Sequence, residues 1–435
     1  TLVLGTVQSA ELGADTRAMV TLAGGAAFRG IESAWLSVQD GYLLLNTVMS
    51  NYNPYAAAAA SPNARTGAVL LWNLPAGVLV DSPDLSALAD GIDQMLDSGD
   101  VAGADELMAA AAGAGAAVLA DAVSGDMERQ LKSIRNRTIE MGLAPGYEYD
   151  GQPYFNAWVA AEGDHRELQA DGTDSGYSLS SWGATLGADM DFSRSFTAGL
   201  AITAMYGDFD GRSPDHASGN MDSYYLTLFG KYNHRRWKHT WIAALGWSDL
   251  HLERHVTYGS GSCHTKGDTS GMGVGLLYEL GYDIPLHTVS PALMQPVFNI
   301  SYRHAGIDAY REHGSDAALR FSKQDMDVVT FGLGLRVYTS AFESVYNRSC
   351  PVYTRFLVKA DAGDIRSHAN SSLLALPERS GRVRSAENHR LGLEMGIGIT
   401  IPIGESNGSL FMDCSYDCRF DESEVNGTVG YRLSF

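Results

Sequence analysis

Val425-Asn426-Gly427-Thr428-Val429-Gly430-Tyr431-Arg432-Leu433-Ser434-Phe435 ends the sequence. Val425, Val429, Tyr431, Leu433 and Phe435 fall on one side of an extended chain; Glu424, Asn426, Thr428, Arg432 and Ser434 fall on the other. A period of two is what a half-buried β-strand requires. The stretch before it repeats the pattern, with Leu410, Met412, Cys414, Tyr416, Cys418 and Phe420 against Asp413, Ser415, Asp417, Arg419 and Asp421. Further upstream, Leu391–Ile401 alternates against Arg390, Gly392, Glu394, Gly396, Gly398 and Thr400. Met272–Ile284 alternates against Gly271, Gly273, Gly275, Glu279, Gly281 and Asp283. A soluble β-sandwich would alternate too, but rows of glycine on the polar face suit a crowded lumen, and the apolar face suits lipid. From about Gly151 onward the chain therefore reads as a closed antiparallel β-barrel in an outer membrane.

Segments of this kind recur about twelve times, centred near Val159, Thr185, Ala201, Leu226, Ala244, Leu276, Ile300, Leu333, Phe356, Leu393, Ser415 and Val429. An even count returns the chain to the side on which it entered. Alternate links are short (Asp191–Ser195, Asn233–Lys238, Pro285–Ala292, Pro402–Gly408), and the intervening ones are mostly long (Asp164–Gly176, Asp208–Gly219, Arg254–Asp268, Gly306–Ala318, Gly363–Ser385). Thr339–Cys350 is long for its side, and Arg419–Ser423 is short for the other. Short periplasmic turns and long outer loops are the outer-membrane arrangement. Trp182, Trp237, Trp241, Trp247, Tyr258 and Tyr338 lie near segment ends, where aromatic girdles belong.

Composition sets the outer bounds. The chain has 435 residues, a formal charge of −20 and 48 glycines. The acid excess, with no Lys/Arg block against it, excludes nucleic acid as a partner and argues against anionic-lipid binding. No run of roughly eighteen apolar residues exists, so no helix is expected to cross a membrane. Thr1 opens directly into strand-like sequence, which is the expectation for the trimmed end of a longer exported precursor. Cys414 and Cys418 share a face but stand ~13 Å apart along a strand, against the ~5.5 Å a disulfide needs. Cys263 falls in an expected outer loop and Cys350 near the periplasmic end, so these two are not expected to pair.

Before the barrel the pattern turns helical. Ser82 offers an N-cap ahead of Pro83, and Leu85, Leu88, Ile92 and Leu96 follow at helical spacing. Asp100 caps a second short helix through Leu107. A third helix spans Ala116–Met141, with Leu119, Val123, Met127, Leu131 and Ile134 on a narrow stripe and Glu128, Arg129, Lys132, Arg135 and Arg137 elsewhere in its second half. At 1.5 Å per residue it would be ~39 Å long, enough to thread a bilayer ~30 Å thick. Inside a polar lumen its cations would meet inward acids such as Glu279, Asp283, Glu394 and Glu424. Short apolar pieces in Thr1–Trp72 (Ala18–Leu22, Ala34–Val38, Tyr42–Asn46, Gly67–Trp72) suit the last coils of a parallel β-helix, with a β fragment of another fold as the alternative.

Helix residues Ser124–Arg137, the following barrel and the terminal Gly430–Phe435 together resemble the translocator unit of autotransporters of the type V secretion class. Asn63–Asn73 resembles the last stretch of their passengers, so the resemblance covers essentially the whole chain. It implies an all-β membrane protein: a twelve-stranded transmembrane barrel with a helix through its lumen (116–141), preceded by linker helices (82–149 in all) and by the end of a passenger (1–81), the barrel occupying 150–435. It implies export of the chain's own passenger to the surface of a Gram-negative-type bacterium. The partners it implies are outer-membrane lipid, periplasmic chaperones and the barrel-insertion machinery, the last reading Tyr431, Leu433 and Phe435. Met127, Arg129, Lys132, Arg135 and Arg137 would face a lumen lined by Glu279, Asp283, Arg303, Arg336, Arg355, Arg390, Glu394, Glu424 and Arg432. Some members cut this helix at an Asn-Asn pair; Asn136 stands alone here, so the passenger is expected to stay attached or to be released by another protease.

Two other function classes compete, a general solute channel and an outer-membrane hydrolase. A channel would leave its lumen open. A hydrolase would need a nucleophile or metal constellation; HExxH does not occur, and the one GxSxG match, Gly404–Gly408, falls in the short link Pro402–Gly408. His216, His251, His255, His264 and His304 read as solvated loop histidines. No catalytic residue, cofactor or metal site is expected, and the chain reads as a transporter and not an enzyme.

Overall fold

The structure is a computed structural model that describes residues 53–72, 74–141, 154–259, 261–286, 292–343, 349–403 and 408–435, with residues 2–6, 18, 19, 31–39 and 42–49 described by their backbone. Twelve antiparallel strands close a barrel: β1 Tyr154–Leu168, β2 Gly176–Ser193, β3 Phe196–Arg212, β4 Ser218–His234, β5 Trp237–Tyr258, β6 Gly261–Tyr282, β7 Ala292–Ile307, β8 Gln324–Glu343, β9 Ser349–Gly363, β10 Leu391–Ile403, β11 Gly408–Arg419 and β12 Glu422–Ser434. Each pairs with its chain neighbour. β12 pairs with β1 from Glu422↔Leu168 to Ser434↔Asn156, and Phe435 N–H extends this seam to the Phe155 carbonyl at 2.9 Å. Every segment centre expected from the alternation lies in one of these strands.

Burial follows the parity of the sequence. Outward Leu186, Ile202, Leu228, Leu245, Leu333 and Ile397 are exposed, whereas inward Glu162, Glu279, Arg303, Glu394 and Glu424 are buried. A continuous exposed apolar band around a cylinder is stable only against lipid. Trp182, Trp237, Trp241 and Trp247 stand on this outer surface. Tyr258 and Tyr338, expected in the same girdle, do not. Tyr338 shares the inward parity of Arg336 and meets its guanidinium at 3.2 Å; Tyr258 is buried in the outer extension.

The outer links differ from the expected loops. β5 and β6 stay paired up to Tyr258↔Gly261, so Arg254–Asp268 is a tall hairpin. Cys263 accordingly sits on a strand and is buried. Gly306–Ala318 and Gly363–Ser385 are also built partly of strand: Tyr310–His313 pairs with β6 and with Leu319–Phe321, which pairs with His368–Leu373, which pairs with Leu376–Arg384. Backbone groups raised clear of the membrane still need partners, and hairpin pairing supplies them.

Five helices lie over this raised sheet: α1 Pro54–Ala58, α2 Pro62–Leu71, α3 Ala76–Asp81, α4 Pro83–Ser98 and α5 Val101–Ala111; α2, α4 and α5 contact the hairpins, and α1 and α3 pack on those helices. Asn53 and Ser61 cap α1 and α2, each ahead of a proline at the first helical position, and Asp100 caps α5 through Gly103 N–H at 3.0 Å. Ser82, expected to cap α4, makes no such bond. Asp316 of the outer hairpin does so instead, accepting from the Asp84 and Leu85 N–H groups at 3.4 and 3.3 Å. Asn63 clamps two outer segments, donating to the Thr173 and Arg384 carbonyls and accepting from Arg384 N–H.

The N-terminal expectations are corrected in two places. Gly67–Trp72, read as a strand, lies mostly in α2, whose Leu70 and Leu71 are fully buried. Apolar runs of five or six residues do not discriminate strand from buried helix, and the Ser61-Pro62 start signal outweighs them. Ile31–Gln39 and Tyr42–Met49 are strands but pair antiparallel, in a sheet whose order places Leu2–Thr6 outside Tyr42–Met49 and Ala18–Met19 outside Ile31–Gln39. A parallel β-helix coil cannot contain that hairpin. Asp40-Gly41, between the paired Gln39 and Tyr42, is the dipeptide that two-residue hairpins favour.

Candidate functional site

The barrel is occupied. A 3-10 turn, Ala114–Val118, enters from the outer end after Gly113, and α6, Leu119–Met141, runs on through the lumen. Gly113 has φ +73°, and a Cβ there would stand 2.6 Å from the Phe321 ring, so glycine is needed at this corner. The Asp215 carboxylate receives Gly115 N–H at 3.0–3.1 Å, and Gln324 donates to the Ala116 carbonyl at 3.1 Å. Burial lifts the Asp215 carboxyl above the ordinary carboxylate range.

The two faces of α6 meet two different walls. Val123, Met127 and Leu131 lie against the glycine row of β6: a Cβ on Gly275 would sit 2.6 Å from Met127 Sδ and 3.1 Å from Leu131 Cδ1. Leu277, Tyr225, Phe229, Ile242 and Ala244 complete this dry contact with Met127, Leu131 and Ile134. Glycine rows are therefore the groove in which the helix lies.

The opposite face is ionic. Glu128 is surrounded by four cations: Arg303, Lys132 at 3.3 Å, Lys359 at 2.7 Å and Arg419 at 3.7 Å. Lys132 reaches Asp417 at 2.8 Å and Glu424 at 2.9 Å. Arg135 is paired with Glu394, and its Nε stands 4.0 Å from Glu279. Arg129 bonds Asp126 at 2.8 Å and Glu162 at 2.9 Å; Asn136 donates to Asp413 at 2.7 Å; Arg137 lies 3.6 Å from Asp189, between the Trp158 and Phe411 rings. All these groups are almost fully buried, so each lost partner would leave an uncompensated charge.

Strand register arranges the wall in rungs. Lys359, Gly392 and Arg419 are cross-strand partners and form a cationic rung. Two residues further in, Glu394, Asp417 and Glu424 are partners and form an anionic one. Arg355, next inward on β9, joins Glu394 at 2.9 Å to Asp413 at 2.9 Å.

Most expected lumen residues lie where parity put them. Met127, Arg129, Lys132, Arg135 and Arg137 are buried on α6; Glu279, Arg303, Arg336, Arg355, Glu394 and Glu424 are buried on the wall. Arg336 pairs with Glu279 at 2.9 Å, so that carboxylate is shared between a wall cation and Arg135 of the helix. Asp283 pairs with Lys238 at 3.3 Å and accepts from Gln295, lining a cavity of about 260 Å³ at the turn end of the lumen. Arg390 does not belong with them: it lies ahead of β10, exposed, and donates to the Asp361 carbonyl at 3.3 Å. Its parity is inward, but the strand has not yet begun. Arg432 is buried near the turn end, its Nε 3.2 Å from the Ser434 hydroxyl. Tyr431 and Phe435 face outward, Phe435 packing on Phe155 at 6.2 Å between ring centroids. Of the wall residues that hold Glu128 and Arg129, Arg419 was placed on the polar face of its strand but not as a helix partner, and Lys359 and Glu162 were not named; their inward parity was the available signal.

A closed twelve-stranded barrel threaded by a helix whose charges are matched by its wall defines a plugged membrane translocator. A family profile for the autotransporter β-domain matches residues 157–415, more than half of the sequence, and the chain belongs to that family. The translocator domain of the autotransporter NalP from Neisseria meningitidis superposes with a TM-score of 0.54 at 15% identity, covering 72% of this chain and 98% of that one. The transport unit of AIDA-I from Escherichia coli gives 0.47 at 13% identity over 68% and 97%. An extracellular serine protease of Serratia marcescens is 28% identical over 186 residues, 42% of this chain; the chain spans 17% of that relative's length. The part matched is the family's β-domain, the barrel unit, and not the length of a whole autotransporter. Translocator domains of this family reside in the outer membrane.

Proposed function

We propose that this chain exports its passenger N-terminus-outward through the barrel and then holds it at the cell surface. The observation that carries the reading is polarity: α6 enters at the end where the raised hairpins and helices α1–α5 lie, and runs toward the end with the short turns and Phe435. Short turns face the periplasm in such barrels, so the chain upstream of Ala114 lies outside. Helices α1–α3 are docked with α4 and α5 on the barrel's own hairpins, which favours drawing the passenger's end near residue 53 instead of 81. Lipid meets the apolar band, and the insertion machinery reads Tyr431, Leu433 and Phe435. The described residues serve transport and anchoring rather than catalysis, and the protease activity named for the Serratia relative belongs to that protein. An epitope placed before residue 53 tests the orientation. Antibody should reach it on intact cells; labelling only after the outer membrane is permeabilised would overturn the reading.

A further inference from the structure

The apolar face of α6 does not fix how far the helix is drawn through the barrel. Val123, Met127 and Leu131 follow one another at intervals of four, so a slide of one turn exchanges one apolar side chain for another. The surface beneath them is the row Gly271, Gly273, Gly275, which has no side chains to act as stops.

The ionic face is different. Glu128 and Lys132 are also four apart, but opposite in sign, and each faces a rung of the opposite charge: Lys359 and Arg419 for Glu128, Asp417 and Glu424 for Lys132. Two residues along a strand advance ~6.8 Å, or ~5 Å along the axis of a barrel whose strands tilt by about 40°, close to the ~6 Å rise of four helical residues. Helix and wall therefore alternate with nearly the same period. A slide of one turn outward would carry Lys132 to Lys359, Arg419 and Arg303. The same slide inward would carry Glu128 to Asp417, Glu424 and Glu394. Either movement buries like charges together in a site with little water to screen them.

We propose that these alternating rungs are an electrostatic stop that arrests the exported chain at one axial register, opposing movement in both directions. Glu128 and Lys132 are the indexing residues of α6; Lys359 and Arg419 in one rung and Asp417 and Glu424 in the next are their counterparts on the wall. The glycine groove lets the helix slide, and the rungs decide where it halts. The inference rests on the reading that the chain is drawn outward through this barrel.

Disulfide trapping in the full chain, in cells, reads the register. An ideal Cβ on Gly273 lies 3.9 Å from Met127 Cβ, within the ~3.5–4.5 Å of a disulfide. With the four native cysteines changed to alanine, the pair Met127→Cys/Gly273→Cys reports the observed register. Val123→Cys/Gly273→Cys and Leu131→Cys/Gly273→Cys report slides of one turn inward and outward. In the parent background only the first pair should crosslink. Glu128→Gln/Lys132→Gln should lower that yield severalfold and raise one or both of the others. The exchange Glu128→Lys/Lys132→Glu should abolish it. Yields are read on the folded, heat-modifiable barrel, so the uncharged variant decides if the exchange variant does not insert. Crosslinking through Met127 alone, at parental yield, in the uncharged variant would overturn the proposal. Surface labelling of an N-terminal epitope in the same cells reads export separately: its failure in the parent would count against the translocation reading and not against the register.

Discussion

Glu128 of the lumenal helix and Lys359 of β9 meet at 2.7 Å, 231 residues apart in sequence, with both side chains almost completely removed from solvent. Three more cations share the same carboxylate. The pair joins the helix that fills the lumen to the barrel wall, so its loss should be felt in plug stability. Glu128→Leu takes from Arg303 its paired carboxylate and leaves Lys132, Lys359 and Arg419 to their other acids, and removing one partner of a buried pair costs about 3–5 kcal/mol. Urea titration of the purified chain, following release of α6 from the barrel, should show a loss of that size. The double variant Glu128→Leu/Lys359→Met should recover part of it.

The groove makes a steric prediction. Gly275→Val places three carbons where Met127 and Leu131 now lie, with the first already 2.6 Å from Met127 Sδ. The strand is held on both sides, so the helix must move. In planar bilayers this variant should conduct measurably more than the parent, whereas Gly427→Val, facing outward with open space around its Cβ, should not.

Phe435 and Arg432 should separate two tasks. Phe435 is exposed on the lipid side and continues the seam with β1; deleting it should abolish accumulation of heat-modifiable barrel in the outer membrane. Arg432→Ala, on the inward side, should leave membrane levels near those of the parent. Equal levels for the deletion and the parent would show that the aromatic end is dispensable for insertion.

Mild acid should strengthen the outer docking. The buried Asp215 carboxyl, which receives Gly115 N–H, has its pKa raised chiefly by burial, and Asp316 beneath α4 is raised for the same reason. A carboxyl whose folded pKa exceeds its unfolded one contributes stability that is complete below the unfolded value and lost as pH rises through the folded one. Release of the outer helices, followed by far-UV circular dichroism in urea, should thus occur at higher urea near pH 4.5 than near pH 7. Asp215→Asn should reduce that difference.

The outer helices also borrow a cap. Asp316→Ala removes the acceptor for two N–H groups of α4 and should destabilise their docking by about 1 kcal/mol, the usual cost of a lost N-cap. Asp316→Asn, which keeps an acceptor oxygen, should restore most of it in the same urea measurement.

Much of this molecule is legible in its sequence, because a barrel wall obeys one local rule. Parity along each strand sorts Glu394 from Leu393 and Arg303 from Tyr302, and the twelve centres follow from repetition. The rule fails where a strand has not begun, as at Arg390. At Tyr338 parity points inward while position near a segment end suggests the outer girdle, and the side chain follows parity. Partners are less legible than faces. Nothing local to Glu128 announces Lys359 or Arg419, since the closeness comes from where the helix halts in the lumen. The outer helices are partly visible through Pro83 and Asp100. α2 is not, because a short apolar run such as Val69–Trp72 looks alike in helix and strand until its cap at Ser61 is weighed.

Conductance tests the central claim, a barrel built for translocation and closed by its own chain. Single-channel recordings on the full chain should show little current at moderate voltage, and deletion of residues 114–141 should produce a large, steady pore. A large open conductance from the intact chain, unchanged by that deletion, would contradict the account.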